Sequence, residues 1–194
     1  NYGCVKIYSP SSEAEWNVFI YMAGDNSLHE HLQVSIGRMI NGYFDNDKVN
    51  IIVMADGLNK MVKKGLNENT AISEARIFKI GSREANTIQY LGLNYDSGSK
   101  KNCESFLNYC IDNFKAKKNL LIFWGHGHYQ ELLQDDNSGN SITINSLKNI
   151  LVKIKNKLKQ NYASYLSFVL YMLQLKSIKV EKILTEILAL EINL

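Results

Sequence analysis

His126 sits between Gly125 and Gly127, directly behind the apolar run Leu120–Trp124. Histidine is the common side chain that exchanges a proton near neutral pH. Glycine has no Cβ, so the Gly127 N–H can approach a substrate carbonyl closely. There it can stabilise the oxyanion that forms when the carbonyl is attacked. A proton shuttle and an amide donor are two of the three parts of an acyl-transfer site. The third is a thiol or hydroxyl nucleophile, which is weak at its ordinary pKa and needs a base beside it. The His-Gly dipeptide alone is a weak signal, because most such histidines are turn residues.

Other residues of this chain carry chemistry by type. His126 and His128 form His-x-His, which on an extended segment faces both rings to one side, as zinc ligands can be. No third ligand has a convincing spacing, so no metal site is expected there. Asp135 and Asp136 open the loop DDNSGN, which does not fit EF-hand spacing. They read as solvated turn acids, with cation binding as the alternative. Asp25 and Asp56 end two apolar runs and are candidates to line a substrate cleft, or equally to serve as turn and cap residues. Cys103 and Cys110 lie on one predicted helix, about 10 Å apart along its axis. That exceeds disulfide reach, and both read as helix core.

These residues need elements to position them. Trp16–Ala23 (WNVFIYMA) reads as a strand, followed by the turn Gly24–Ser27 and a helix from about Leu28 to Tyr43. Asn26 or Ser27 is a candidate N-cap for that helix. Asn50–Asp56 is a second strand, rich in β-branched residues. A polar excursion from Asn59 to Glu74 reads as a solvated loop or hairpin, and Arg76–Ile80 as a shorter third strand. A helix from about Lys101 to Lys115 carries Phe106, Leu107, Cys110, Ile111 and Phe114 as one stripe. Leu120–Trp124 is apolar on both faces, as in a strand covered on two sides. Thr143 or Asn145 can cap a helix from about Ser146 to Lys159. Tyr165–Met172 is a fifth strand, and Ser177–Leu190 a final helix. Strands alternating with helices predict right-handed crossovers and a parallel sheet. In such sheets ligands bind at the carboxyl ends of the strands, where His126 falls.

The chain has 194 residues, 45% of them hydrophobic, enough for one sizeable core and a single α/β domain. Residues 1–14, which include the only proline, read as a flexible leader, and residues 15–194 as the domain. A net charge of +3, with no basic run interleaved with aromatics, points away from nucleic acid. No apolar run approaches the about 18 residues that a membrane-spanning helix needs. The first residue is Asn1, so an upstream piece is expected to have been removed or left out. Tyr2-Gly3-Cys4 is faintly similar to the end of a bacterial lipoprotein signal, with an incidental thiol on a disordered leader as the alternative.

Several separated phrases, in order from Trp16 to Leu158, resemble the clostripain family of cysteine peptidases, relatives of gingipains, legumain and caspases. WNVFIYMAGDNSL is similar to the family's opening strand and Asp-Asn turn, and VNIIVMADG to its second strand. YLGLNYDSGSKKNCESFLNYCIDNF is similar to the segment ahead of its histidine strand. NLLIFWGHGH corresponds to the strand that ends in the catalytic histidine, and LLQDDNSGNSITINSLKNIL to the acidic turn, short strand and helix beyond it. The resemblance implies a caspase-like three-layer sandwich, with a mostly parallel sheet of about five strands flanked by helices. It implies hydrolysis of peptide bonds after Arg or Lys, with His126 handling the proton of the leaving amine and Gly127 N–H the oxyanion. It adds calcium as a cofactor where the residues themselves call for none, and a chain that is monomeric or self-processed. It also implies a secreted or cell-surface bacterial protein, with Cys4 as the lipid-attachment point if the leader is a lipoprotein signal.

One departure is serious. The family's nucleophile follows the next core strand in a Phe-Asp-Ala-Cys type of phrase. Here the continuation of that strand, Val169–Gln174, has neither Cys nor an acidic residue. The expectation is therefore a peptidase domain that is inactive as given and truncated or altered on its carboxyl side. The alternative is a pseudopeptidase that binds peptides without cutting them.

Overall fold

The computed structural model describes residues 13–43, 48–58, 74–128, 130–161 and 165–172, with backbone alone from residue 159 onward. The elements run β1 (Ala14–Ala23), α1 (His29–Gly42), β2 (Val49–Leu58), β3 (Glu74–Ile80), β4 (Ala85–Leu93) and α2 (Lys100–Asn113). They continue with β5 (Ala116–Gly125), β6 (Gly127–His128), β7 (Glu131–Leu132), β8 (Ile142–Thr143), α3 (Ile144–Asn161) and β9 (Tyr165–Met172). Of the expected leader 1–14, residues 1–12 with Cys4 lie outside the described residues, as does the expected helix Ser177–Leu190, whereas Ala14 is buried and opens β1.

The main sheet has six strands in the order β4-β3-β2-β1-β5-β9. β1 pairs in parallel with β2 and with β5, and β5 in parallel with β9. β3 and β4 join antiparallel, as a hairpin on the β2 edge. The expected mostly parallel α/β sheet is therefore present, one strand larger than foreseen. β4 was not foreseen because it is half exposed along its length and carries no apolar stripe. It is held through its backbone pairing with β3.

Alternation along the central strands makes two cores. Phe19, Tyr21 and Ala23 of β1, Ile52 and Met54 of β2, and Leu121 and Phe123 of β5 face α2 and α3. The opposite residues Ile20, Met22, Val53, Ala55 and Trp124 pack with Leu32 and Ile36 of α1. The result is three layers, α/β/α. Cys103 and Cys110 are fully buried free thiols in the first core, as expected of helix-core residues.

Three asparagines cross the middle of the sheet. Asn17 is opposite Asn50 on one side and Asn119 on the other. Asn17 Nδ2 donates to Asn119 Oδ1 and to Phe114 O, both at 2.9 Å. Asn50 Nδ2 donates to Asn17 Oδ1 at 3.0 Å, and Lys79 Nζ to Asn50 Oδ1 at 2.8 Å. Buried polar side chains are tolerated when bonded in this way.

Candidate functional site

The parallel strands β1, β2, β5 and β9 finish on one edge of the sheet. Met22 is opposite Trp124, Ala23 opposite Asp56, and Gly125 opposite Met172. The turn after β1, the bulge at the end of β2 and His126 after β5 are thus brought together. The segment after Met172, where no Cys occurs, lies outside the described residues.

Gly57 is what lets the β1 turn sit down on β2. Its φ is +94°, and a Cβ there would lie 2.5 Å from the Gly24 carbonyl oxygen. Only glycine accepts both conditions without strain. The seated turn is tied by Gly24 N–H to Asp56 O at 3.0 Å. Asn26 does not cap α1 through its first-turn amides beyond Leu28, and the cap position itself is Leu28, without a side-chain cap bond. Asn26 Oδ1 instead accepts the Leu28 N–H at 2.9 Å, while its Nδ2 donates to Ala23 O at 3.2 Å and Gln134 O at 2.7 Å. Ser27 is likewise used elsewhere: its hydroxyl is 2.8 Å from His126 Nε2.

His126 is half buried and Gly127 half buried. The His126 carbonyl accepts the Leu133 N–H at 2.8 Å. Residues 126 and 133 are opposite each other, one step before the Gly127–Leu132 pair of β6 and β7. Bonded and non-bonded pairs alternate in an antiparallel ladder, so Gly127 turns its N–H away from β7. That leaves the amide directed outward from the small sheet β6-β7-β8, as an oxyanion donor must be.

An acidic cluster forms where the turn after β1 meets the end of β2. Asp25, Asp56 and Asp135 each place a carboxylate oxygen within 4.8 Å of the others. Asp56 and Asp135 are fully buried, and Asp25 is half buried. Asp135 is thus not the solvated turn acid its loop sequence suggests, whereas Asp136 is exposed. Asp135 Oδ2 accepts from Ser97 N–H at 2.9 Å and Ser97 Oγ at 3.1 Å, and its Oδ1 from Ser138 N–H at 2.8 Å. These bonds bury it at a junction between the loop ahead of α2 and the loop ahead of β8. Burial, with Asp135 and Asp25 close by, pushes the Asp56 carboxyl up to about 7, against some lowering by Ser97. Tyr21 OH donates to Ser97 O at 3.0 Å, and burial raises the phenol far above its ordinary value. In donor type the three carboxylates suit a hard cation such as calcium, although six to eight oxygens are the usual calcium set.

Asp25 and Asp56, named from the sequence, are thus placed next to each other. Asp25 retains some surface, and Asp56 none. Ser27, Ser97 and the Leu133–Gln134 backbone were not foreseen. Only the strand order reveals them, because it makes the turns after β1 and β5 neighbours. The two buried thiols are on α2, within the core that α2 forms against the sheet, and burial raises both well above the ordinary thiol range.

A model of the clostripain family matches residues 20–167. Clostripain of Hathewaya histolytica is 29% identical over 124 residues, which is 57% of this chain and 23% of that protein. A secreted C11 cysteine protease of Bacteroides thetaiotaomicron, solved with an irreversible peptide inhibitor, shares the fold with a TM-score of 0.59 at 19% identity. The match covers 82% of this chain and 43% of that one. An inactive zymogen C11 protease of Parabacteroides distasonis gives 0.56 at 18% identity, over 82% of this chain and 42% of its own. The chain therefore spans less than half of either solved relative and about a quarter of the curated one.

Proposed function

Because the chain belongs to the clostripain family of cysteine peptidases, we propose that it forms the histidine-bearing half of a peptide-hydrolysing site. His126 at the carboxyl end of β5, with Gly127 N–H turned outward beside it, is the observation that carries this reading. In the intact reaction a thiolate attacks the peptide carbonyl and Gly127 N–H bonds the oxyanion. The proton taken from the thiol passes through His126 to the leaving amine, and water then cleaves the acyl-enzyme. The bond chosen is one after Arg or Lys, as the family resemblance implies.

We infer that this chain is inactive as given, because no cysteine stands after β9 where the family's nucleophile is expected. Residues 165–194 contain no cysteine, and Cys103 and Cys110 are buried in α2. Loss of a nucleophile costs about a millionfold in rate, or roughly 8 kcal/mol of barrier. The expected behaviour is peptide binding without turnover. Fluorogenic peptides ending in Arg or Lys test it together with a binding titration of the same peptides. Hydrolysis that disappears in His126→Ala would reveal a nucleophile and overturn the inactive reading. Absence of both binding and hydrolysis would overturn the peptide-site reading.

The kinship with a secreted relative supports export of this chain as well, and no helix among the described residues is long and apolar enough to cross a membrane. Calcium, when bound, would find oxygen donors at Asp25, Asp56 and Asp135. A rise in melting temperature with calcium above pH 7, lost in Asp56→Asn, is the readout for that part of the proposal.

A further inference from the structure

Ser27 lies within hydrogen-bond reach of one nitrogen of His126. Its Oγ lies 2.8 Å from Nε2, and it is an exposed residue of the turn after β1. β1 and β9 flank β5 on opposite sides. The ring is thus engaged from the β1 side of β5. With Nε2 occupied, Nδ1 is the remaining proton-exchanging atom.

The hydroxyl is held by more than its own bond. Asn26 fastens the turn to Ala23 O, to Leu28 N–H and to Gln134 O. The next residue back from Gln134 is Leu133, whose N–H bonds the His126 carbonyl. Asp136 N–H also donates to Asp25 O at 2.9 Å. A closed circuit results, running from the His126 main chain through Leu133, Gln134, Asn26 and Ser27 back to the His126 ring. Both the backbone and the imidazole of His126 are referred to the same pair of turns.

A Ser–His pair at this distance has a second chemical meaning, that of nucleophile and base. Such a pair needs a third group orienting the base from its other nitrogen. Among the described residues the His126 ring makes no other hydrogen bond. The orienting group is therefore Ser27 itself. We propose that Ser27 is a positioning residue, which accepts the Nε2 proton of His126 and so leaves Nδ1 as the nitrogen that takes up a proton. This rests on the peptidase reading above. In the intact reaction proposed above, Nδ1 would take the proton of the attacking thiol, the imidazolium would keep its Nε2–H on Ser27, and Nδ1 would then give its proton to the departing amine.

The test is the regiochemistry of alkylation of His126 by iodoacetamide, read by NMR of the modified ring on the full chain. Nitrogen attacks the methylene carbon and iodide leaves. The parent is expected to react at Nδ1. In Ser27→Ala the Nδ1-to-Nε2 product ratio should fall about fivefold or more, the change that losing one ordinary hydrogen bond brings. Ser27→Thr, which keeps the hydroxyl, should restore it, and all three proteins should melt alike because Ser27 is exposed. Alkylation of the parent mainly at Nε2, or an unchanged ratio in Ser27→Ala, overturns the proposal. Covalent capture of Ser27 by a fluorophosphonate overturns it too, by making the hydroxyl the nucleophile. None of these results depends on peptide binding, so failure here is separable from failure of the peptidase reading.

Discussion

Replacing Asp56 by Asn should make the protein more stable, and increasingly so as pH rises. Asp56 is fully buried, and burial together with Asp135 and Asp25 raises its carboxyl from the ordinary 3.8 to about 7. The folded protein therefore holds that proton more tightly than the unfolded chain. Its stabilising contribution is complete below pH 3.8, declines as pH rises toward 7 and is level above that. The whole decline corresponds to about 4 kcal/mol. Between pH 5 and pH 8 the parent should lose about 2–3 kcal/mol through this group. Asparagine stays neutral throughout and can donate its amide to a neighbouring carboxylate, so it escapes this loss. Urea unfolding at both pH values, in chelator, measures the difference directly, and every other titrating group cancels between parent and variant to first order. The advantage of Asp56→Asn should be about 2–3 kcal/mol greater at pH 8 than at pH 5. A difference that does not change with pH would refute the raised protonation of Asp56.

Asn17→Ala removes a partner from Asn119, Asn50 and the Phe114 carbonyl at once. A loss of about 2–4 kcal/mol in denaturant unfolding is expected. Gly57→Ala meets both a positive φ and a carbonyl 2.5 Å from the new methyl. It should cost about 2–3 kcal/mol and displace the β1 turn, visible as chemical-shift changes at Ser27 and His126. Cys103 and Cys110, buried with raised thiol pKa values, should resist a disulfide reagent in the native protein and react once it is unfolded in urea.

Where the chain carries a continuous apolar pattern, sequence and structure agree closely. Tyr165–Met172 is a strand with the expected bounds, and the α2 stripe from Phe106 to Phe114 faces the core as its spacing requires. His126 follows the last residue of β5, at the carboxyl edge of the parallel strands, where its apolar run and flanking glycines place it. The signal faded where a residue's environment comes from a partner remote in sequence. β4 is held by β3 rather than by its own apolar residues, and the turn that makes the hairpin, Gly81–Glu84, is only four residues long. Asp135 occurs in a string of polar loop residues, and only the approach of Ser97 makes it a buried acceptor. Ser27 looks like an ordinary cap residue until β1 and β5 are known to be neighbours.

The asparagine triad has an effect at a distance. It lies toward the entry of β1 and β5, and the strands then run in step to the edge where Ser27 meets His126. Advancing one strand against the other by a single position would lift its tip by about 3.3 Å, more than the whole gap between hydroxyl and imidazole. Three amide side chains thus act as a vernier, setting the altitude at which each ribbon stops.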